Sequence, residues 1–128
     1  MNLKRIYSLK GRSLFKEVYN RGSRLQEKGI RVYFLRCSEN AKPGESVNKS
    51  YLITKAIKIG ISINRKFGNA CERNRAKRRT RAVCFELLKE MNKGFCIIIS
   101  LNENIKEADF EIQKKIIKTL FKKAGIIQ

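Results

Sequence analysis

Residues 57–81 read IKIGISINRKFGNACERNRAKRRTR, and two different periods meet inside that stretch. Up to Ile63 the period is two: Ile57, Ile59, Ile61 and Ile63 point one way, Lys58, Gly60 and Ser62 the other. That is a strand whose isoleucine face needs a cover of helices. After Gly68 the period becomes helical. A long helix should begin near Asn69 and run to about Met91, with Ala76, Thr80, Val83, Leu87 and Met91 as its inward stripe.

Working outward, Gly94–Ser100 (GFCIIIS) reads as a buried strand. Phe110–Ala124 reads as a last helix, with Phe110, Ile117, Leu120, Phe121 and Ala124 inward and Gly125 placed as its C-cap. On the other side, Ile30–Arg36 alternates, with Ile30, Val32 and Phe34 on one face and Arg31, Tyr33 and Leu35 on the other. Before it, Ser13 can cap a first helix carrying Leu14, Phe15, Val18 and Tyr19, stopped by Gly22. Ser38–Ser50, which holds Pro43, reads as an exposed loop. The sum is an α/β (α+β) two-layer sandwich: a small, mostly antiparallel or mixed sheet packed by three helices. The order is αββαβα, with room for one extra short strand, and residues 1–128 form one domain.

The 30 Lys and Arg against 11 Asp and Glu give a formal charge of +19, which calls for a polyanionic partner. The longest apolar run, Phe95–Ile99, is far short of the roughly 20 residues of a membrane span. Met1–Lys10 lacks a signal peptide's apolar core, so a soluble cytoplasmic protein is expected. Cys37, Cys71, Cys84 and Cys96 form no CxxC pair and the chain has no histidine, so no metal site is expected and the thiols read as free and mostly buried.

The charge is concentrated in Arg65–Arg81, where Arg65, Lys66, Arg73, Arg75, Lys77, Arg78, Arg79 and Arg81 face a single carboxylate, Glu72. Like charges at i, i+4 destabilise a helix unless phosphates neutralise them. Arginine outnumbers lysine in the helix, which suits bidentate contact with phosphate. Backbone N–H groups at Gly68 and Asn69 are expected to be open to an anion at the helix N-terminus. A merely solvated basic face is too weak a reading for such density. A membrane-surface helix would need the apolar stripe already assigned to the core.

GNACERNRAKRRTR resembles the RNR signature of the bacterial ribonuclease P protein family, with Arg73, Asn74 and Arg75 on the triplet and Lys77, Arg78 and Arg81 on the following basic positions. GISI before it and LKGRSLFKEVYNRG at residues 9–22 are also similar to the family, and the resemblance spans about Leu9–Ala124. It implies a left-handed βαβ crossover, where general handedness would favour the right-handed one. It implies that Arg65, Lys66, Asn69, Arg73, Asn74, Arg75, Lys77, Arg78, Arg79 and Arg81 bind ribonuclease P RNA. It further implies a cleft between the first helix and the sheet that holds the 5′ leader of precursor tRNA. The matching cleft positions are Phe15, Tyr19, Arg31 and Tyr33, types that grip single strands by stacking and charge.

On that resemblance the protein has no catalytic residue of its own, binds no cofactor alone and needs no protein partner. Magnesium serves the holoenzyme, whose RNA carries the hydrolysis. From the residues alone, Phe15 and Tyr19 fit ordinary core as well, whereas Tyr33 shares its face with Arg31 and is not expected to be fully buried. Arg31 stands where the family would carry an aliphatic residue. The competing classes are a structural RNA binder of ribosomal-protein type and a self-sufficient nuclease.

Overall fold

The chain is described by a computed structural model covering residues 9, 12–36 and 57–127. The expected Ser38–Ser50 loop, Cys37 and the side chains of Ser13 and Leu14 lie outside the described residues. In chain order the elements are α1 (Arg12–Arg21), β1 (Ser23–Glu27), β2 (Ile30–Arg36), β3 (Lys58–Ile63), α2 (Ala70–Leu87), β4 (Phe95–Leu101) and α3 (Phe110–Ala124). Short 3-10 turns lie at Arg65–Phe67, Leu88–Glu90 and Glu103–Ile105.

The extra short strand is β1. It pairs with β2 through a two-residue turn, Lys28 (φ 47°) and Gly29 (φ 90°), whose positive φ values match the twist of a hairpin. A Cβ on Gly29 would also lie 2.7 Å from Asn102 Oδ1, so both backbone and space demand glycine there. Ser13 is not the N-cap, since the helical backbone already begins at Arg12 and Ser13 sits inside the first turn.

The sheet order is β1-β2-β4-β3, antiparallel except for the parallel β3–β4 pair. Residues in register share a face. On one face lie Leu25, Val32, Ile99 and Ile61, then Phe34, Ile97 and Ile59. Helices α2 and α3 cover it and form the main core. Each fully buried isoleucine there contributes roughly 1.5–3 kcal/mol. The expected stripe of α2 is buried throughout, although the α-helix ends at Leu87 and a 3-10 turn carries the chain on to buried Met91. Cys84 joins that stripe, and Ile116 and Gln113 join the inward side of α3, where Phe110 and Ala124 are only half-buried. Thr80 belongs in the stripe because its hydroxyl donates to Ala76 O (2.8 Å) and accepts from buried Gln113 Nε2 (2.9 Å). Asp109 caps α3 by accepting from Ile112 N, and Gly125 (φ 80°) closes it.

Helix α1 lies on the opposite face, making a partial third layer. Val18 packs with Leu9, Cys96 and Ile98, and Phe15, Tyr33 and Leu35 close the edge of this smaller cluster. Gly60 lets the Phe15 ring sit on β3, since a Cβ there would lie 2.5 Å from Phe15 Cζ. Beyond α1 the same face presents a polar row in register: Gln26, Arg31, Ser100 and Ser62, none of them buried. Among the described residues no helix is long and apolar enough to cross a membrane.

Candidate nucleic-acid interface

The four expected cleft residues come together on the α1 side of the sheet. Tyr19, one turn after Phe15, leaves the core and is 39% exposed. The Phe15 and Tyr19 rings are 6.4 Å apart, and Tyr19 meets Tyr33 edge-on at 4.6 Å. Arg31 extends the group, its Nη1 donating to Tyr33 Oη at 3.1 Å. The result is a continuous aromatic and cationic surface, with Phe15 also serving the small core beneath it. Sequence reasoning missed Gln26, whose Oε1 accepts from Arg31 Nε (3.2 Å) and Nη2 (2.9 Å). Its signal lay in the Lys28-Gly29 turn, which sets Gln26 opposite Arg31 in the hairpin.

The basic helix is anchored before it starts. Asn64 Oδ1 caps the Arg65–Phe67 turn, Phe67 is buried, and Arg65 and Lys66 are left exposed. At the N-terminus of α2 the expected open N–H groups are not open at Asn69. Asn69 Oδ1 accepts from Glu72 N (2.9 Å) while Asn69 N donates to Glu72 Oε1 (3.0 Å), a reciprocal capping box. Glu72 thus places a carboxylate where an anion was expected. The Lys106 ammonium at 2.8 Å, and then the Asn69 N–H, hold its carboxyl below the ordinary range.

Past the cap, the cations divide between two flanks. At helical spacing Arg73, Lys77 and Arg81 follow one line, bordered by Asn74 and Arg78. A hollow lined by Ile63, Ala70, Arg73, Asn74 and Lys77 joins this flank to the end of β3. Asn74, Arg78 and Arg81 are exposed, while Arg73 and Lys77 are half-buried. Arg73 Nε is buried with no partner among the described residues. On the other flank, Arg75 and Arg79 border a pocket with Glu72, Lys106 and Gln113. There Arg79 Nη1 donates to Ala108 O at 3.1 Å, so it ties α2 to the entry of α3. Glu86–Lys114 (3.7 Å) and Glu90–Lys118 (3.6 Å) continue the bridge between the helices. Of the expected RNA-binding residues, Asn69 and Arg79 are therefore engaged inside the protein.

Of the three cysteines described, Cys71 is exposed and Cys84 and Cys96 are buried. Burial pushes the Cys84 thiol up to about 12. Among the described residues no group of three or more His, Cys, Asp or Glu could hold a metal ion.

Known proteins share this sequence pattern and this fold. The pattern of the ribonuclease P family matches residues 3–125. The chain is 35% identical over 128 residues to a ribonuclease P protein component of Microcystis aeruginosa, covering 99% of this chain and 98% of that one. It is 27% identical over 126 residues to that of Symbiobacterium thermophilum, covering 98% and 97%. Among solved structures, the RNase P protein of Staphylococcus aureus matches with a TM-score of 0.76 at 20% identity, over 95% of this chain and 98% of its own. The RNase P protein of Thermotoga maritima matches with a TM-score of 0.71 at 24% identity, over 91% and 96%. At those identities the two structures establish the three-helix, four-strand fold. With the family pattern spanning nearly the whole length, the chain belongs to the ribonuclease P protein family.

Proposed function

We propose that this chain, as the protein component of ribonuclease P, uses two adjoining surfaces to bring a catalytic RNA and its substrate together in the cytoplasm. The β3-side flank of α2 binds ribonuclease P RNA. The face under α1 holds the single-stranded 5′ leader of precursor tRNA, whose endonucleolytic removal it promotes. The observation that carries this reading is the convergence of Phe15, Tyr19, Tyr33 and Arg31 on one open face. That face and the basic flank lie on opposite sides of the edge strand β3, where Ser62 belongs to the polar row and Ile63 to the hollow. Stacking holds bases of any identity, and the cations of the α2 flank hold the backbone. A protein of charge +19 also lowers the repulsion between two polyanions, which strengthens substrate and magnesium binding by the RNA.

In this reading the magnesium-dependent hydrolysis resides in the RNA. Both Glu72 oxygens are already engaged, by the Asn69 N–H and by Lys106, and the other carboxylate of α2, Glu86, lies about four turns away beside Lys114, too far to share a metal ion with it. The test is precursor tRNA cleavage at low magnesium by ribonuclease P RNA with and without the protein. Stimulation should be strong, Tyr19→Ala should weaken binding of precursor but not of mature tRNA, and protein alone should leave the substrate intact. Site-specific 5′ cleavage by protein alone would overturn this division of roles.

A further inference from the structure

If the face under α1 holds the leader, the position of Arg31 gives that face a more specific chemistry. An arginine near a nucleic acid can act as a phosphate clamp, through its N–H donors, or as a plate, through the flat faces of the guanidinium. In this chain three of the donors are already committed inside the protein. Nε and Nη2 both donate to Gln26 Oε1, and Nη1 donates to Tyr33 Oη. These bonds lie in the guanidinium plane, so they fix the group's orientation while leaving its faces unused. Tyr33 Oη, accepting from Arg31, has its own proton to offer outward.

The neighbours fit a plate as well. In the row shared with Arg31, the next residues across the sheet are Ser100 and Ser62, too short to stand over the guanidinium. On the other side the Tyr19 and Tyr33 rings continue the stacking surface at 4.6 Å from each other. We propose that Arg31 is a base-stacking residue for single-stranded RNA, not a phosphate clamp, and that Gln26 is the positioning residue that makes it one. This role rests on the leader-binding reading of the same face. The serine hydroxyls beside Arg31 then offer hydrogen bonds to the edge of the stacked base.

The test uses holoenzyme reconstituted with ribonuclease P RNA, and measures affinity for precursor and mature tRNA over a range of salt. Arg31→Lys keeps the charge and removes the plate. It should reduce the precursor's advantage over mature tRNA about tenfold, with the salt slope unchanged. Gln26→Ala frees the donors to reach phosphate, so it should reduce that advantage about threefold while steepening the salt slope by up to about one. A purely structural role for Gln26 would leave the slope alone. Wild-type affinity in Arg31→Lys, or an unmoved slope in Gln26→Ala, would sink the proposal. A Tyr19→Ala arm separates the two levels. If it loses the leader advantage while Arg31→Lys keeps it, the plate is wrong and the cleft stands; if neither variant changes it, the cleft reading falls too.

Discussion

Along α2, the flank turned to α3 and the flank turned to β3 both carry cations and end up in different electrostatic states. Toward α3 the charges are answered from within: Glu72 by Lys106, Glu86 by Lys114, and Arg79 by the Ala108 carbonyl. Toward β3, Arg73, Lys77 and Arg81 line up beside Asn74 and Arg78 with no carboxylate among the residues lining the hollow. Exposed ion pairs of the first kind are worth little individually, but they set where the helix lies. Unanswered cations of the second kind repel one another until a polyanion arrives. Residue type alone does not separate partnered from unpartnered charges here; the side of the helix does.

The largest effect expected is on RNA binding. Lys77→Ala, Arg78→Ala and Arg81→Ala together should lower the log–log salt slope for ribonuclease P RNA by about 2 to 3, close to one per lost phosphate contact. The double variant Lys114→Ala with Lys118→Ala removes nearly as much charge from the α3 side and should leave that slope unchanged. Equal changes in slope per charge removed would erase the difference between the flanks.

Next comes the joint that holds the flanks apart. Gln113→Ala removes the buried hydrogen bond to Thr80 and opens a small cavity between α2 and α3. It should cost about 2 kcal/mol in urea unfolding. The salt slope of the protein that remains folded should stay as in the wild type. A smaller effect, about 1 kcal/mol, is expected from Asn69→Ala, which deletes the N-cap. A large loss of RNA affinity without loss of stability would mark Asn69 as an RNA contact.

Much of this was legible in the residues. The isoleucine alternation of β3, the α2 stripe and the last helix stand where their periods place them, because buried faces leave a strong pattern. Strand β1 left almost none: in SRLQE only Leu25 is apolar, as suits an edge strand with one side on the core and the other in solvent. Without β1 there was no register to set Gln26 beside Arg31. The sorting of the α2 cations was hidden for a different reason. The partners of Glu72, Arg79 and Glu86, which are Lys106, Ala108 and Lys114, sit more than 25 residues downstream, and only the packing of α3 beside α2 brings them close. The capping box, by contrast, was written plainly as Asn69 and Glu72, three residues apart.

The smallest expected effect is also the most direct test of the answered flank, through Glu72. Its folded pKa lies below the ordinary 4.5, chiefly because Lys106 bonds it and then because the Asn69 N–H does. A depressed carboxylate pKa contributes stability that is fully present above the unfolded value and disappears as pH falls through the folded one. Thermal melts taken downward from pH 7 should therefore show a modest loss below about pH 4.5 in the wild type, and a shallower one in Lys106→Met. Both groups are partly in solvent, so salt should shrink the difference. The same residue then probes the interface. Glu72→Gln removes the negative charge that faces Arg75 and Lys106. If that flank is internal scaffolding, affinity for ribonuclease P RNA should stay within about twofold of wild type, the range left to screened long-range attraction. If the flank faces RNA, removing the carboxylate should tighten binding and steepen the salt slope by a full contact, and the distinction between the two sides of α2 would be lost.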